Sequence, residues 1–192
     1  MAKKTKKRCS WAVSNSLMKG YHDKEWGTPV HNDRLLFEFL ILEGIQAGLS
    51  WNIVLQKREN YRKAFDNFDY TNIANYGEEK IEELLQNKGI IRNRRKIQAT
   101  ITNAKAFVEM QKEFGSFDGY IWGFIDKPIQ NAWKSLEEIP AKTEISETIS
   151  KDLKKRGFKF IGPTIVYAFM QAIGMVNDHT IDCFRYTELK NK

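Results

Sequence analysis

"ISKDLKKRGFKFIGPTIVYAFMQAIG", residues 149–174, reads as two helices joined by a tight turn. The first stops at Gly157, a residue free to take the left-handed conformation that helix ends favour. After Phe158–Ile161 comes Gly162, then Pro163 at the first position of a new helix, which tolerates its missing N–H. Ile165, Val166, Phe169, Met170 and Ile173 give that helix an apolar face. Unpaired N–H groups at its start, with Lys154, Lys155, Arg156 and Lys159 nearby, could hold a DNA phosphate without reading sequence. An ordinary helical hairpin with solvent-facing lysines fits the same pattern.

The rest of the chain reads as helical nearly throughout. Residues 33–48 form an apolar helix, and residues 52–65 place Val54, Leu55, Arg58, Tyr61 and Phe65 at helical spacing. Residues 78–89 open acidic and close on Lys88 and Gly89, as helix ends prefer. Residues 92–115 make a long helix closed by Gly115. "FDGYIWGFI", 117–125, fits a short strand or a short helix, and no alternating strands stand out elsewhere. The polar stretch 131–146, turned at Pro140, reads as an interlobe connection, because apolar residues persist on both sides. The expectation is one all-α domain over residues 1–192.

One residue breaks the pattern. On a 3.6-residue period Leu36, Phe39, Leu40 and Ala47 share a stripe, and Glu43 falls in its middle. A carboxylate there must be paired, neutralised or used. In an apolar pocket its pKa would rise and a bound cation would restore ionisation. Pairing with an arginine is the structural alternative.

The net charge of +7 favours a polyanionic partner without showing one. Two cysteines exclude a disulfide-dense scaffold, and no stretch approaches the roughly 20 apolar residues of a membrane span. Residues 1–8 are basic with no apolar run after them, so they read as a solvated tail rather than a secretory signal, and a soluble, reducing compartment is expected. Cys9 and His22 lie near one end of the chain, His179 and Cys183 near the other. The last two are four apart and would face the same way on a helical turn. Together the four make a Cys2His2 set suited to a structural Zn2+ with no open position. The spacing matches no standard zinc finger, and on the residues alone inert thiols with capping or surface histidines are the preferred reading; His31 is left as a loop residue.

"RCSWA", "YHDKEWGTP", "LEGIQAGLSW", "GIIRNRRKIQATITNA", "LKKRGFKFIGPT" and "VNDHTIDCFRY" follow one another as in the bacterial 3-methyladenine DNA glycosylase I family. The resemblance runs from Arg8 to Tyr186. It implies the all-α helix-hairpin-helix DNA glycosylase fold, with the hairpin at about 148–174 and both chain ends tied by one structural Zn2+ on Cys9, His22, His179 and Cys183. It also implies hydrolytic release of 3-methyladenine from double-stranded alkylated DNA by a cytoplasmic monomer. Glu43 is implied as the catalytic, base-contacting residue, with Trp11, Met18, Tyr21 and Trp51 around the base. Leu49 resembles the position that fills the gap left by the flipped nucleotide, and Gly157, Lys159, Gly162 and Thr164 resemble the DNA-binding hairpin.

Some positions depart from relatives. "NSLMKG", 15–20, stands where many have Asp-Pro and a hydrophobic pair, and Met18 is Tyr in some. The catalytic Asp of many superfamily members aligns with Asn177; Asp178 is adjacent and expected to point elsewhere. Lyase members carry a Schiff-base lysine where this chain has Pro163 and Thr164, which implies a monofunctional enzyme. Residues alone also fit a non-catalytic DNA-binding module, or a receptor for a free purine or aromatic cation. Base release excludes the first, and salt-sensitive DNA affinity the second.

Overall fold

Every residue from Leu36 to Ile45 is buried, so the helix that carries them must be enclosed on all sides. The computed structural model describes residues 6–190. Among these the helices are α1 (Ser16–Lys24), α2 (Asp33–Gln46), α3 (Trp51–Ala64), α4 (Tyr70–Ala74) and α5 (Glu78–Gln86). There follow α6 (Arg94–Phe114), α7 (Phe117–Trp122), α8 (Glu144–Lys155), α9 (Pro163–Ala172) and α10 (Phe184–Lys190). Around α2 pack α3, α6, α7 and α9; α4 lies on α6, and α8 on α9. The expected stripe is therefore the inside of a helix buried all round, and Ala47 lies beyond its end, exposed.

Helix starts are fixed by short polar side chains. Asn15, Asn32, Ser50, Asp69, Asn93, Ser116 and Thr143 each accept a backbone N–H from the turn that follows. Ser116 settles the ambiguous stretch 117–125 by capping the short helix α7. Two strands of two residues do occur: β1 (Ile129–Gln130) and β2 (Val176–Asn177) pair in parallel, Gln130 beside Asn177. Two residues are too few to leave an alternating pattern.

The basic tail needs correction where it is described; residues 1–5 lie outside the described residues. Arg8 donates to Asp23 of α1 at 2.8 and 2.9 Å, and Lys6 stands 4.3 Å over the Phe184 ring. These residues dock because the fold brings the two ends of the chain together.

A short connection, residues 156–162, joins α8 to α9. Gly157 takes φ +96° after α8, and Gly162 precedes α9 with Pro163 in its first turn. Ser150 donates to the Ile161 carbonyl at 2.6 Å. Asn103 of α6 clamps Lys159, accepting from its N–H at 2.7 Å and donating to its carbonyl at 3.0 Å. Phe160 beside it holds φ +53°, a strained value for a side-chain-bearing residue that the clamp maintains. Asn103→Ala would leave that N–H without its acceptor. It should lower stability by about 2 kcal/mol, measured by urea unfolding with an unchanged m-value.

Candidate functional site

Several parts of the chain converge on one cavity of about 410 Å³. α2 supplies Glu43, α1 supplies Met18 and Tyr21, and the first residue of α3 is Trp51. Trp11 comes from a short 3-10 turn, Ser10–Val13, before α1. The rest of the lining comes from Thr164, Tyr167 and Gln171 of α9, and from Leu136, Ile139 and Pro140. The last three belong to the connection 131–146, which sequence reading treated as a joint between lobes. It is a cavity wall, and only its Pro140 turn was visible beforehand.

The rings are set at angles. Tyr21 and Trp51 have centroids 5.3 Å apart at 51°, and Trp11 meets Trp26 edge-on at 5.0 Å. The Trp51 indole N–H is buried without an acceptor. Glu43 is 5% exposed, and its carboxylate has no hydrogen bond or ion pair among the described residues. Burial pushes its pKa up from 4.5 to about 8. Tyr21 is also pushed up, first by burial and then by the negative charge of Glu43.

The arginine-paired carboxylate of α2 is a different residue. Glu38 takes Arg58 Nε at 2.5 Å and Arg62 Nη2 at 2.7 Å, and Arg58 also reaches Glu25 at 2.6 Å. Glu43 is left outside that network.

A smaller depression of about 270 Å³ adjoins the cavity, sharing Glu43 and bordered by Leu49 and Thr164. Leu49 lies in the turn after α2, where Lys96 Nζ donates to the carbonyls of Ile45 and Ala47 at 2.6 and 2.7 Å. Lys159 is exposed and lies away from the cavity, beside Phe160 and Arg95. Gly157 borders neither the cavity nor the depression; its role visible here is to end α8. Of the basic run 154–156, Arg156 is taken up by Asp152 and Glu113 and lies 4.8 Å over Phe114, while Lys154 and Lys155 are exposed. His31 is an exposed partner of Asp118 at 2.8 Å.

Behind the aromatic wall, Cys9, His22, His179 and Cys183 are all buried, with their donor atoms within 4.8 Å of one another. They could hold a metal ion. His179 and Cys183 do not share a helix; a turn closed by Cys183 N–H to the Thr180 carbonyl, 2.8 Å, brings them together. Asp178 does not line the cavity and is buried, its carboxylate accepting from four donors. Asn177 donates to Gln130 and to the Tyr186 carbonyl.

An apolar cavity walled by rings, with one unpaired carboxylate inside, has the chemistry to receive a flat, positively charged ring. The methyladenine glycosylase family model matches residues 11–186. DNA-3-methyladenine glycosylase 1 of Escherichia coli (strain K12) is 49% identical over 93% of this chain and 96% of its own. A crystal structure of 3-methyladenine DNA glycosylase I superposes with a TM-score of 0.90 at 52% identity, covering 93% of this chain and 98% of that one. A variant of 3-methyladenine DNA glycosylase I, in complex with 3-methyladenine, has a TM-score of 0.89 at 31% identity, covering 92% of this chain and 96% of that one. The chain belongs to the methyladenine glycosylase family.

The elevated pKa of Glu43 makes a stability prediction. Folded Glu43 keeps its proton up to about pH 8 while the unfolded chain loses it near 4.5, so stability falls as pH rises through that window. Glu43→Gln has no such loss. It should be more stable than the wild type at pH 9, by roughly 2 to 5 kcal/mol, with the gap closing toward pH 5 in denaturant titrations.

Proposed function

We propose that this cavity receives 3-methyladenine everted from double-stranded DNA, and that the single domain then hydrolyses its bond to deoxyribose. The observation that carries the reading is the unpaired carboxylate of Glu43 among Trp11, Tyr21 and Trp51. Methylation at N3 makes the purine cationic while it is attached to the sugar. The ring faces then contribute a cation–π attraction of about 0.5 to 2 kcal/mol that neutral adenine lacks. Glu43 accepts from the exocyclic amine and complements the charge, and Met18 completes the wall. When the C1′–N9 bond breaks, its electron pair stays with the base, which leaves neutral without needing an acid. Water adds to C1′ and gives its proton to solvent. The everted base costs stacking energy, for which Leu49 compensates by entering the gap.

The hairpin supports the DNA half of this reading, as the hairpin of a helix-hairpin-helix fold. Gly162 offers no side-chain cap to α9, so the N–H groups of its first turn remain for a phosphate, near Thr164. Lys159 adds charge nearby, and Gly157 permits the turn. No amine follows Gly162, since Pro163 and Thr164 stand there, so the reaction stops at the abasic site.

The four-residue cluster fits a zinc ion. A tetrahedral zinc with ordinary bond lengths separates sulfur and nitrogen ligands by about 3.6 Å. Here Cys9 Sγ to His179 Nδ1 is 3.6 Å, Cys183 Sγ to His179 Nδ1 is 3.5 Å, and Cys183 Sγ to His22 Nε2 is 3.4 Å. The outer ring nitrogens are oriented as ligand histidines are, His22 Nδ1 by Asp23 at 2.8 Å and His179 Nε2 by the Trp26 carbonyl at 3.1 Å. Such an ion supplies cross-linking of the chain ends and no catalytic chemistry.

Two measurements check this reading. Chromatography of bases freed from methylated DNA should show 3-methyladenine, with the strand intact until alkali is added. Its kcat/KM should rise with pH and level off near pH 8, as free Glu43 ionises, and Glu43→Gln should abolish that rise. Release independent of residue 43 would sink the assignment. Separately, metal analysis should find one zinc per chain, and Cys9→Ser should lose it with a fall in Tm of about 10 °C or more.

A further inference from the structure

Charge selects methylated from unmethylated purines, but it cannot choose among methylated ones. A purine alkylated at N7 is cationic too, so Glu43 and the rings would attract it as well. What remains to discriminate is the shape of the cavity, and hence whatever holds in place the lining other than the Trp11, Tyr21, Glu43 and Trp51 group. That lining comes from α9, with Tyr167 and Gln171, and from the connection carrying Leu136, Ile139 and Pro140.

One buried side chain ties them. Asp178 is 1% exposed, and each carboxylate oxygen takes two donors. Oδ1 accepts from Asn131 Nδ2 at 2.6 Å and Trp133 Nε1 at 2.7 Å, at the root of the connection. Oδ2 accepts from Tyr167 Oη and Gln171 Nε2, both at 2.7 Å, on the cavity face of α9. The arrangement follows from the fold. Gln130 and Asn177 are paired at the ends of β1 and β2, so residue 131 and residue 178 emerge side by side. The donors also fix orientation: the Gln171 amide must present Nε2 to the carboxylate, which leaves its Oε1 to face elsewhere. The four donors fill the acceptor positions of this buried carboxylate, and two of them, Tyr167 and Gln171, line the site.

We propose that Asp178 is a positioning residue that sets the cavity's width and thereby its choice among methylated purines. This rests on the reading of the cavity as the 3-methyladenine site. It acts through Tyr167, Gln171 and the connection, without touching the base. Asp178→Asn keeps the shape but turns an N–H2 toward two donors, opening one side of the joint. Trp133→Phe removes a single donor and keeps the carboxylate side chain in place.

The test uses DNA treated with a methylating agent, which carries both 3-methyladenine and 7-methylguanine, and measures the release rate of each. The ratio of the two rates should fall about tenfold in Asp178→Asn and about threefold in Trp133→Phe, by relaxed rejection of the wrong shape. Metal content and circular dichroism should match the wild type. A purely structural role lowers both rates together and leaves the ratio untouched, and that result overturns the proposal. If Asp178→Asn fails to fold, an unchanged ratio in Trp133→Phe overturns it equally. Failure of the wild type to release 3-methyladenine would instead remove the reading of the cavity on which this depends.

Discussion

A carboxylate enclosed in an apolar cavity without a partner is the constraint to which the rest of this molecule answers. The contrast lies within one helix. Glu38 and Glu43 are both buried on α2, five residues apart, yet Glu38 draws two arginines and Glu43 none. The chain plainly contains the means to neutralise a buried acid. Leaving Glu43 alone raises its pKa to about 8 and makes its ionised form costly, a cost that a cationic ligand removes. Stability and recognition therefore oppose one another at this position, as expected where a site is built around an unmet charge.

Holding such a cavity open demands stiff walls, and they are stiffened from outside. Arg58 joins Glu25 at the end of α1 to Glu38 of α2 from its own place on α3, and lies 5.0 Å over Phe39. It thus ties together the three helices that carry Tyr21, Glu43 and Trp51. The Cys/His cluster does the same from the chain ends. Cys9 sits two residues before Trp11 and His22 directly after Tyr21, so fixing the cluster fixes those two rings. The Trp26 carbonyl on His179 extends the bracing to a third ring.

Local signals made part of this readable in the sequence. Gly157, Gly162 and Pro163 punctuate the hairpin by their own backbone preferences, and Glu43 stood out because it violates a helical pattern. No spacing rule connects residues 11, 18, 21, 43 and 51. Only family resemblance grouped them, and the structure gathers them in one cavity. The four-residue spacing of His179 and Cys183 suggested proximity for the wrong reason, since a turn rather than a helix joins them. The connection 131–146 was illegible as a wall because the hydrogen bonds of its Asn131 and Trp133 run to Asp178, more than forty residues away. Asn103 was hidden likewise, its partner being the backbone of a distant hairpin.

Close packing also decides how the hairpin and the cavity are related. Next to Glu43 stands Gly44, where a Cβ would lie 3.2 Å from the Phe160 carbonyl oxygen. The glycine lets the hairpin backbone press directly on α2, while α9 runs from the hairpin into the cavity wall. Several of the 31 basic side chains are occupied elsewhere. Arg8 serves the chain ends, Arg156 its own helix, and Lys96 the C-terminus of α2. The exposed lysines 154, 155 and 159 lie on the hairpin itself. On the proposed reading, the group that grips the DNA backbone and the cavity that receives the base are then parts of one packed unit. A phosphate seated at the start of α9 fixes where an everted nucleotide can arrive, and no hinge is required to bring the base to Glu43.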